Sequence, residues 1–308
     1  MFWLAVFLFS LCAAVYPQEN LDDYSVFSFR FDNDFVFETD RYFTNGFDFS
    51  YASSSFENFG LNKFIFPNNE GKQRFYSIDL IQEIYTPREK DSTKPVIGDR
   101  PFSANLYLTY SKKMIDENDV EWNFRFLLGV MGKYAFGEEV QNGIHSLLPT
   151  SAKVLGWDNQ LSDAILVSYF ISYKRKLAEI PVMRLQSTFS AEIGQPKTRA
   201  GAGLDFIIGD KSFAFDYSYE NKFKWRFRFK PNLYFVLFNA NLQGGLFTEN
   251  IYSLKASKIN RILFDLQNDL DFSYKRTSVA IGYELITKEF KTGTAHIWFF
   301  IKVVYKFH

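Results

Sequence analysis

The sequence has few of the residues on which several common protein classes depend. Its 308 residues include one cysteine and three histidines, and 35 basic side chains are balanced by 35 acidic ones. One cysteine excludes a disulfide scaffold and a cysteine-ligated zinc site. A formal net charge of zero argues against a nucleic-acid partner, because proteins that bind nucleic acid carry a basic face. After the N-terminus, no run approaches the roughly 18 consecutive apolar residues of a transmembrane helix.

Aromatic residues are abundant. The chain has 37 Phe, 18 Tyr and 5 Trp, which together make up 19% of the residues. Such a composition excludes a disordered chain. The mean hydropathy is nevertheless slightly negative, at −0.17. A soluble core does not need this many phenylalanines, so their positions along the chain are informative.

The N-terminus has the features of a secretory signal peptide. Residues 1–15 (MFWLAVFLFSLCAAV) are uncharged and apolar, and charged, turn-like sequence follows them at once. We predict a signal peptide over residues 1–18, cleaved near 14–18, and a single domain over residues 19–308. The alternative is a buried N-terminal helix.

Alternation of apolar and polar residues predicts the fold. Trp122, Phe124 and Phe126, for example, alternate with Asn123 and Arg125. A period of two with one apolar face is typical of half-buried strands. About twelve such segments lie near residues 24–36, 43–55, 74–86, 102–112, 121–132, 164–176, 182–194, 198–208, 229–243, 258–275, 277–289 and 296–307.

These segments favour a membrane barrel. Most are about ten residues or longer, which suits tilted strands crossing a bilayer. The polar face of several segments carries charged residues, which a polar lumen accommodates better than a closed soluble core does. These residues are Arg30, Asp32, Asp79, Arg125 and Lys302. An even number of strands closes an antiparallel barrel. We therefore predict an all-β, 12-stranded antiparallel transmembrane β-barrel in the bacterial outer membrane. The alternative is a large soluble β-sandwich or a lipocalin-like barrel.

Strand order assigns the connections to the two ends of the barrel. If the N-terminus begins in the periplasm, the connections after odd-numbered strands face the exterior. Short turns near 116–119, 209–212 and 275–277 then fall on the periplasmic side, as expected. The connection at 56–73 also falls there, and it is longer than usual for that side.

Polar motifs concentrate in the outer connections. Gln141 and His145 are four residues apart in the longest one, so a short helix there would present both on one face. Asp32, Asp34 and Asp40 offer oxygen ligands to a cation, although their spacing does not complete an EF-hand loop. Each feature also has an ordinary explanation, since Asp often caps turns and a lone His is often structural.

Seven motifs in order resemble the outer-membrane lipid A 3′-O-deacylase family, which removes an ester-linked acyl group from lipid A in the outer leaflet. The resemblance covers nearly all of the chain after the predicted signal peptide. The motifs are Asn33-Asp34 and residues 39–46 (TDRYFTNG), 82–87 (QEIYTP), 98–104 (GDRPFSA), 139–145 (EVQNGIH), 156–161 (GWDNQL) and 289–293 (EFKTG).

The resemblance implies a set of site residues and a cofactor. His145 corresponds to the catalytic histidine, Asn33, Asp34 and Thr44 to essential residues, and Gln141 to a supporting residue. The resemblance also implies Ca²⁺ as cofactor, with Asp34 as a candidate ligand or as the group that orients His145, and a helix from an extracellular loop beside the site. His145 would then act as general base on water, while calcium and the Asn33 amide would stabilise the oxyanion.

The sequence departs from the family in the second outer connection. The family has a basic cluster ahead of a Lys-Pro pair, whereas here Lys94 stands alone beside Pro95, with Arg88 and Lys90 a few residues earlier. We expect Lys94 and Arg100 to contact the substrate, which would be a lipid A or lipopolysaccharide with fewer phosphates or a different acyl pattern. We also expect a membrane-embedded monomer without a nucleic-acid partner.

Two other functions stay open at this point. A non-catalytic barrel, either a small channel or a structural protein, would share the alternation without the chemistry. A barrel phospholipase would carry a serine nucleophile beside the histidine, and the sequence has no motif for one. It also lacks G-x-S-x-G, H-E-x-x-H and P-loop motifs.

Overall fold

The computed structural model describes residues 24–37, 41–67, 73–116, 118–147, 153–210, 220–248 and 250–307. The predicted signal peptide at 1–18, Asp40 and part of the predicted turn at 209–212 lie outside these residues. Within the described ranges, no helix is both long enough and apolar enough to cross a membrane.

Twelve antiparallel strands form a closed barrel, which confirms the predicted fold. Each strand pairs with its neighbours in sequence, and the first pairs with the last. The strands are β1 Ser25–Asn33, β2 Tyr42–Ser53, β3 Gln73–Thr86, β4 Ser103–Ile115, β5 Glu121–Met131, β6 Ala164–Ile180, β7 Met183–Gly194, β8 Lys197–Gly209, β9 Glu220–Asn239, β10 Ile262–Lys275, β11 Thr277–Ile286 and β12 His296–Lys306.

The ninth strand differs most from its predicted position. It begins at Glu220 rather than near 229, and residues 240–243 form a helical turn rather than the end of the strand. The additional part alternates basic and aromatic residues. Arg226 and Arg228 form ion pairs with Asp271 and Asp269 of β10, at 2.6 and 2.9 Å. The partners that hold the additional part of the strand are therefore distant in sequence.

The two faces of the barrel wall differ as the alternation predicts. Phe49, Leu80, Leu108 and Leu128 are successive partners across β2 to β5, and they are 39–53% exposed, so this face points away from the lumen. The opposite face carries the charged residues. Exposed apolar side chains are expected where a barrel wall faces lipid.

Short helices lie in the connections. The α-helices are α1 Asn62–Ile65, α2 Gly137–Leu147 and α3 Ala240–Gln243. Single 3₁₀ turns cover Phe35–Phe37, Ser54–Asn58, Lys133–Ala135, Gly156–Asn159 and Ala256–Lys258. The helix expected around Gln141 and His145 is therefore present as α2, within the connection between β5 and β6.

Candidate active site

Helix α2 and its connection lie against the outer wall of the barrel, not inside the lumen. Ile84 and Ala104 are register partners on β3 and β4, and Ile84 lies four residues from outward-facing Leu80, so both face outward. Both are nevertheless 0% exposed, because Ala135 and Trp157 of the β5–β6 connection pack on them. This cover lies at the end of the barrel where β1 leads into β2.

The first turn of α2 makes the closest approach to the wall. A Cβ at Gly137 would lie 2.5 Å from the Cβ of Ala104 and 2.5 Å from Cη2 of Trp157, so only a residue without a side chain fits here. Farther along the same helix, a Cβ at Gly143 would have no atom within 4 Å. The helix is therefore held against the wall at its beginning.

Gln141 and His145 lie one turn apart on α2, and both are buried. The Gln141 carbonyl oxygen Oε1 accepts a hydrogen bond of 2.9 Å from Nε1 of Trp157, which fixes the orientation of the side-chain amide. Its Nε2 is buried and has no hydrogen-bond acceptor among the described residues. In this side chain, Nε2 is thus a donor that no described protein group uses.

Asn33 holds the turn between β1 and β2. Its Nδ2 donates to the carbonyl oxygen of Thr44 at 2.8 Å and to Oδ1 of Asn45 at 2.6 Å, while its Oδ1 accepts from the backbone N–H of Phe35 at 2.6 Å. Every hydrogen of this amide thus has a protein partner. The adjacent Asp34 is 1% exposed, and its Oδ2 accepts from the backbone N–H of Arg41 at 2.8 Å.

Thr44 connects this turn to the wall beneath α2. The register of β2 on β3 shifts between Phe43 and Asn45, and such a bulge takes Thr44 out of the ladder. The Thr44 hydroxyl then donates to the carbonyl oxygen of Ile84 at 3.3 Å. Ile84 is also one of the residues that α2's connection covers. Asn33 and Thr44 therefore lie beside Ile84, the β3 residue against which the α2 connection packs.

The β3–β4 connection lies over the same region. The backbone N–H of Leu155, just after the α2 segment, donates to the carbonyl oxygen of Lys90 at 3.2 Å. Partial burial lowers the pKa of the Lys90 ammonium, and the Asp91 and Asp34 carboxylates oppose this shift. Lys90 is thus close enough to Asp34 for their charges to interact, whereas Lys94 is exposed. The sequence does not distinguish these two lysines.

Arg100 is wholly buried, and its side chain contacts other protein side chains. Its guanidinium forms an ion pair with Glu289 and lies 4.7 Å from the ring centroid of Tyr85. Glu289 also accepts a hydrogen bond of 3.1 Å from Nδ2 of Asn239. Arg100 thereby ties the β3–β4 connection to the β11–β12 connection, and a role in substrate binding stays a prediction.

The candidate site offers oxygen ligands to calcium, but the described residues do not form a complete metal site. Among the described residues, no group of three or more His, Cys, Asp and Glu side chains could hold a metal ion. Asp32 belongs to the lumen, where it pairs with Arg30 at 2.6 Å. Asp34 is the buried carboxylate at the site, and its oxygens are of the type that Ca²⁺ prefers.

Comparison with known proteins places the chain in a family. The sequence matches the family described as "Outer membrane protein LpxR" over residues 1–307. The chain belongs to the LpxR family. Its barrel is accordingly an outer-membrane barrel, as predicted. No curated protein matches the sequence.

A solved structure agrees on the fold. The LpxR-family chain is similar to LpxR from Salmonella typhimurium, with a TM-score of 0.73, 19% identity, and coverage of 91% of this chain and 99% of that one. At this identity, the likeness establishes the fold alone. The β domain of the Bordetella autotransporter BrkA is less similar, with a TM-score of 0.44, 9% identity, and coverage of 92% of this chain and 98% of that one.

In this LpxR-family barrel, the candidate site consists of a buried amide donor, a buried histidine and a buried carboxylate. Two of these groups lie on α2, and the third follows β1. The strand positions beneath the α2 segment face outward, so the two groups on α2 lie on the outer side of the wall. Such a set suits the addition of water to a carbonyl group, with one group to accept a proton and another to hold the developing negative charge.

Proposed function

We propose that this chain hydrolyses the 3′-linked acyl or acyloxyacyl ester of lipid A. The proposal rests on the position of α2. Gln141 and His145 lie on this helix, and its connection covers the outer wall at the exterior end of the barrel. A lipid anchored in the outer leaflet can approach such a site sideways, without leaving the membrane. A site inside the lumen would not be accessible to that substrate.

Exposed apolar side chains around the site support a substrate with acyl chains. Phe35, next to Asp34, is 61% exposed, and Tyr134 and Phe136, just before α2, are 66% and 51% exposed. Side chains of this size are rarely left in water as a group unless they mark an interaction surface. Acyl chains of lipid A are the ligand that we propose for them.

The proposed chemistry assigns one task to each residue. His145 accepts a proton from water, the water oxygen bonds to the ester carbonyl carbon, and the negative charge collects on the carbonyl oxygen. Gln141 donates to that oxygen through Nε2, which has no other acceptor among the described residues. The carbon–oxygen bond to the sugar then breaks, His145 returns its proton to the leaving oxygen, and a carboxylic acid is released.

Asn33 and Thr44 act as positioning residues in this proposal. Both amide hydrogens of Asn33 already have acceptors, at 2.8 and 2.6 Å, so the Asn33 amide holds the turn that carries Asp34 rather than the oxyanion. The Thr44 hydroxyl, bonded to Ile84, holds that turn against the wall. Asn33 was the oxyanion donor that the resemblance suggested, and Gln141 suits that task better.

We propose that the reaction depends on calcium and that Asp34 is the protein carboxylate that would hold the ion. A bound Ca²⁺ would supply positive charge close to the ester. Because Ca²⁺ takes about six to eight oxygen ligands, further oxygens would have to come from backbone carbonyls, water or the substrate. The active unit that we propose is a single chain.

The non-catalytic channel is less well supported. The lumen side chains Asp205, Arg226 and Asp269 are only 1–5% exposed, and each forms an ion pair with a side chain of opposite charge, namely Lys174, Asp271 and Arg228 respectively. A water-filled pore would leave such groups accessible. A channel should show measurable conductance in planar bilayers, whereas the proposed esterase activity does not need an open pore.

Replacement of His145 tests the proposed function. Purified barrel in detergent micelles is incubated with lipid A, and the products are analysed by mass spectrometry. We expect the wild-type protein to release the 3′ acyl group and His145→Ala to release none, although it still shows heat-modifiable migration as a folded barrel. Ser146→Ala, altered at the next and exposed residue, should retain activity. Full activity of His145→Ala would refute the assignment of the base.

A further inference from the structure

The long connection between β2 and β3 packs on the outside of the barrel, at the end opposite the candidate site. Its described part, residues 54–67, contains the 3₁₀ turn Ser54–Asn58 and helix α1. We call these residues the foot. A connection that folds over the outer wall explains why this periplasmic connection is longer than is usual for that side.

The register shows which face of the wall the foot covers. Outward-facing Leu108 and Leu128 are partners on β4 and β5, and two residues farther along the strands Tyr110 pairs with Phe126. Because side chains alternate across a strand, Tyr110 also faces outward. Phe126 in turn pairs with Tyr169 of β6. These residues belong to the surface that faces lipid elsewhere on the barrel.

Hydrogen bonds from outward-facing side chains hold the foot in place. The Tyr110 hydroxyl donates to Oδ1 of Asn62 at 2.5 Å, and the Tyr169 hydroxyl donates to the carbonyl oxygen of Ile65 at 3.0 Å. Lys112 Nζ donates to the carbonyl oxygen of Pro67 at 3.0 Å. Backbone polar groups of the foot are thereby satisfied against the wall, so the foot has a defined position.

The foot has apolar side chains on both of its sides. On the wall side, Phe66 is 5% exposed and packs in one cluster with Tyr76 and Phe124. On the other side, Leu61 and Phe64 are 57% and 88% exposed, whereas Phe59 is 41% exposed and its ring centroid lies 6.3 Å from that of Tyr110 on the wall. The exposed side cannot be explained by packing on the barrel.

Aromatic side chains of the outer wall surround the exposed side of the foot. Trp122 and Tyr173 are register partners on the outward face beside the foot, and their rings lie 4.9 Å apart. Together with Tyr110 and Tyr169 they form an aromatic group near the periplasmic ends of β4 to β6. Outer-membrane barrels place such girdles at the boundary between headgroups and acyl chains. The exposed side of the foot is thus continuous with the lipid-facing surface at the height of that boundary.

We propose that the foot inserts Leu61 and Phe64, together with the exposed part of Phe59, into the phospholipids of the periplasmic leaflet. Aromatic and leucine side chains are those with which interfacial helices enter a bilayer, about 5–10 Å into the boundary region. Exposed Lys63 lies among them and suits anionic phospholipid headgroups. The barrel thus contacts two chemically different lipids, with the candidate site at the outer leaflet and the foot at the inner one.

Spin labels test the proposal in the whole barrel. Phe64→Cys is labelled with a nitroxide in the chain that begins after the predicted signal peptide, which has no other cysteine, and is reconstituted in vesicles of phosphatidylethanolamine and phosphatidylglycerol. Leu108→Cys supplies the lipid reference and Lys291→Cys, in the exposed β11–β12 connection, supplies the water reference. Collision with oxygen, which concentrates in the bilayer, is compared with collision with a water-soluble nickel complex. Heat-modifiable migration shows that each variant is folded.

We expect the oxygen-to-nickel accessibility ratio at position 64 to exceed that at position 291 severalfold and to lie near that at position 108. A ratio at 64 equal to that at 291 would overturn the proposal, because the foot would then face water. Low accessibility to both reagents would overturn it as well, since protein, such as a second copy of the chain, would then cover the foot.

Discussion

The contact between α2 and the barrel wall can be tested by adding one methyl group at position 137, in the variant Gly137→Ala. In Gly137→Ala, the new Cβ would lie 2.5 Å from Ala104 Cβ and 2.5 Å from Trp157 Cη2, whereas ordinary contacts begin at 3.4 Å. Neither neighbour can move away easily, because Ala104 belongs to a strand and Trp157 is 1% exposed. The start of α2 must therefore move by about 1 Å, and overpacking of this kind costs roughly 1–3 kcal/mol.

We expect this small displacement to affect catalysis far more than folding. A misplacement of about 1 Å can reduce a rate by about a hundredfold, because the reacting groups must be held within narrow limits. Gly137→Ala should thus lose about two orders of magnitude in lipid A deacylation, measured by mass spectrometry of the products, with unchanged heat-modifiable migration. Gly143→Ala is the matched control on the same helix, has no atom within 4 Å of its new Cβ, and should keep wild-type activity. Wild-type activity in Gly137→Ala would refute the close docking of α2.

Two further predictions concern the groups around α2. Chelation by EGTA should abolish deacylation and added Ca²⁺ should restore it, with Asp34→Asn shifting the requirement to higher calcium concentrations; activity that is unaffected by EGTA would exclude the calcium role. Trp157→Phe keeps an aromatic ring but removes the donor to Gln141, whose buried Oε1 then lacks its partner at a cost of about 1–3 kcal/mol. Amide hydrogen exchange should therefore accelerate in α2 and not in the strands, and unchanged exchange in α2 would show that this hydrogen bond does not hold the helix.

Much of the fold could be predicted from local sequence, because a barrel strand repeats every two residues. That period located the strands from β1 to β12, and the spacing of Gln141 and His145 predicted α2. The early start of β9 was missed because the lumen charges of that segment are balanced by Asp269 and Asp271, which belong to another strand. Alternation alone does not show such pairing.

The assembly of the site and the foot could not be predicted in the same way. Ile84, Ala104 and Trp157 meet only after the β5–β6 connection folds over the wall, and nothing in their local sequence shows that they are covered. The amide of Asn33 is a similar case, since its acceptors on Thr44 and Asn45 follow from the register of β1 on β2. The foot has apolar residues on two sides and thus shows no single period.

The most direct test of the proposed activity is the mass of lipid A in living cells. Lipid A is extracted from cells that express the wild-type chain, from cells that express His145→Ala, and from cells with neither, after folded barrel has been detected in the outer membrane of the first two. The proposed activity predicts lipid A lighter by the 3′-linked acyl group only in cells with the wild-type chain. Identical lipid A in all three, with the wild-type barrel folded in the outer membrane and calcium present, would contradict it.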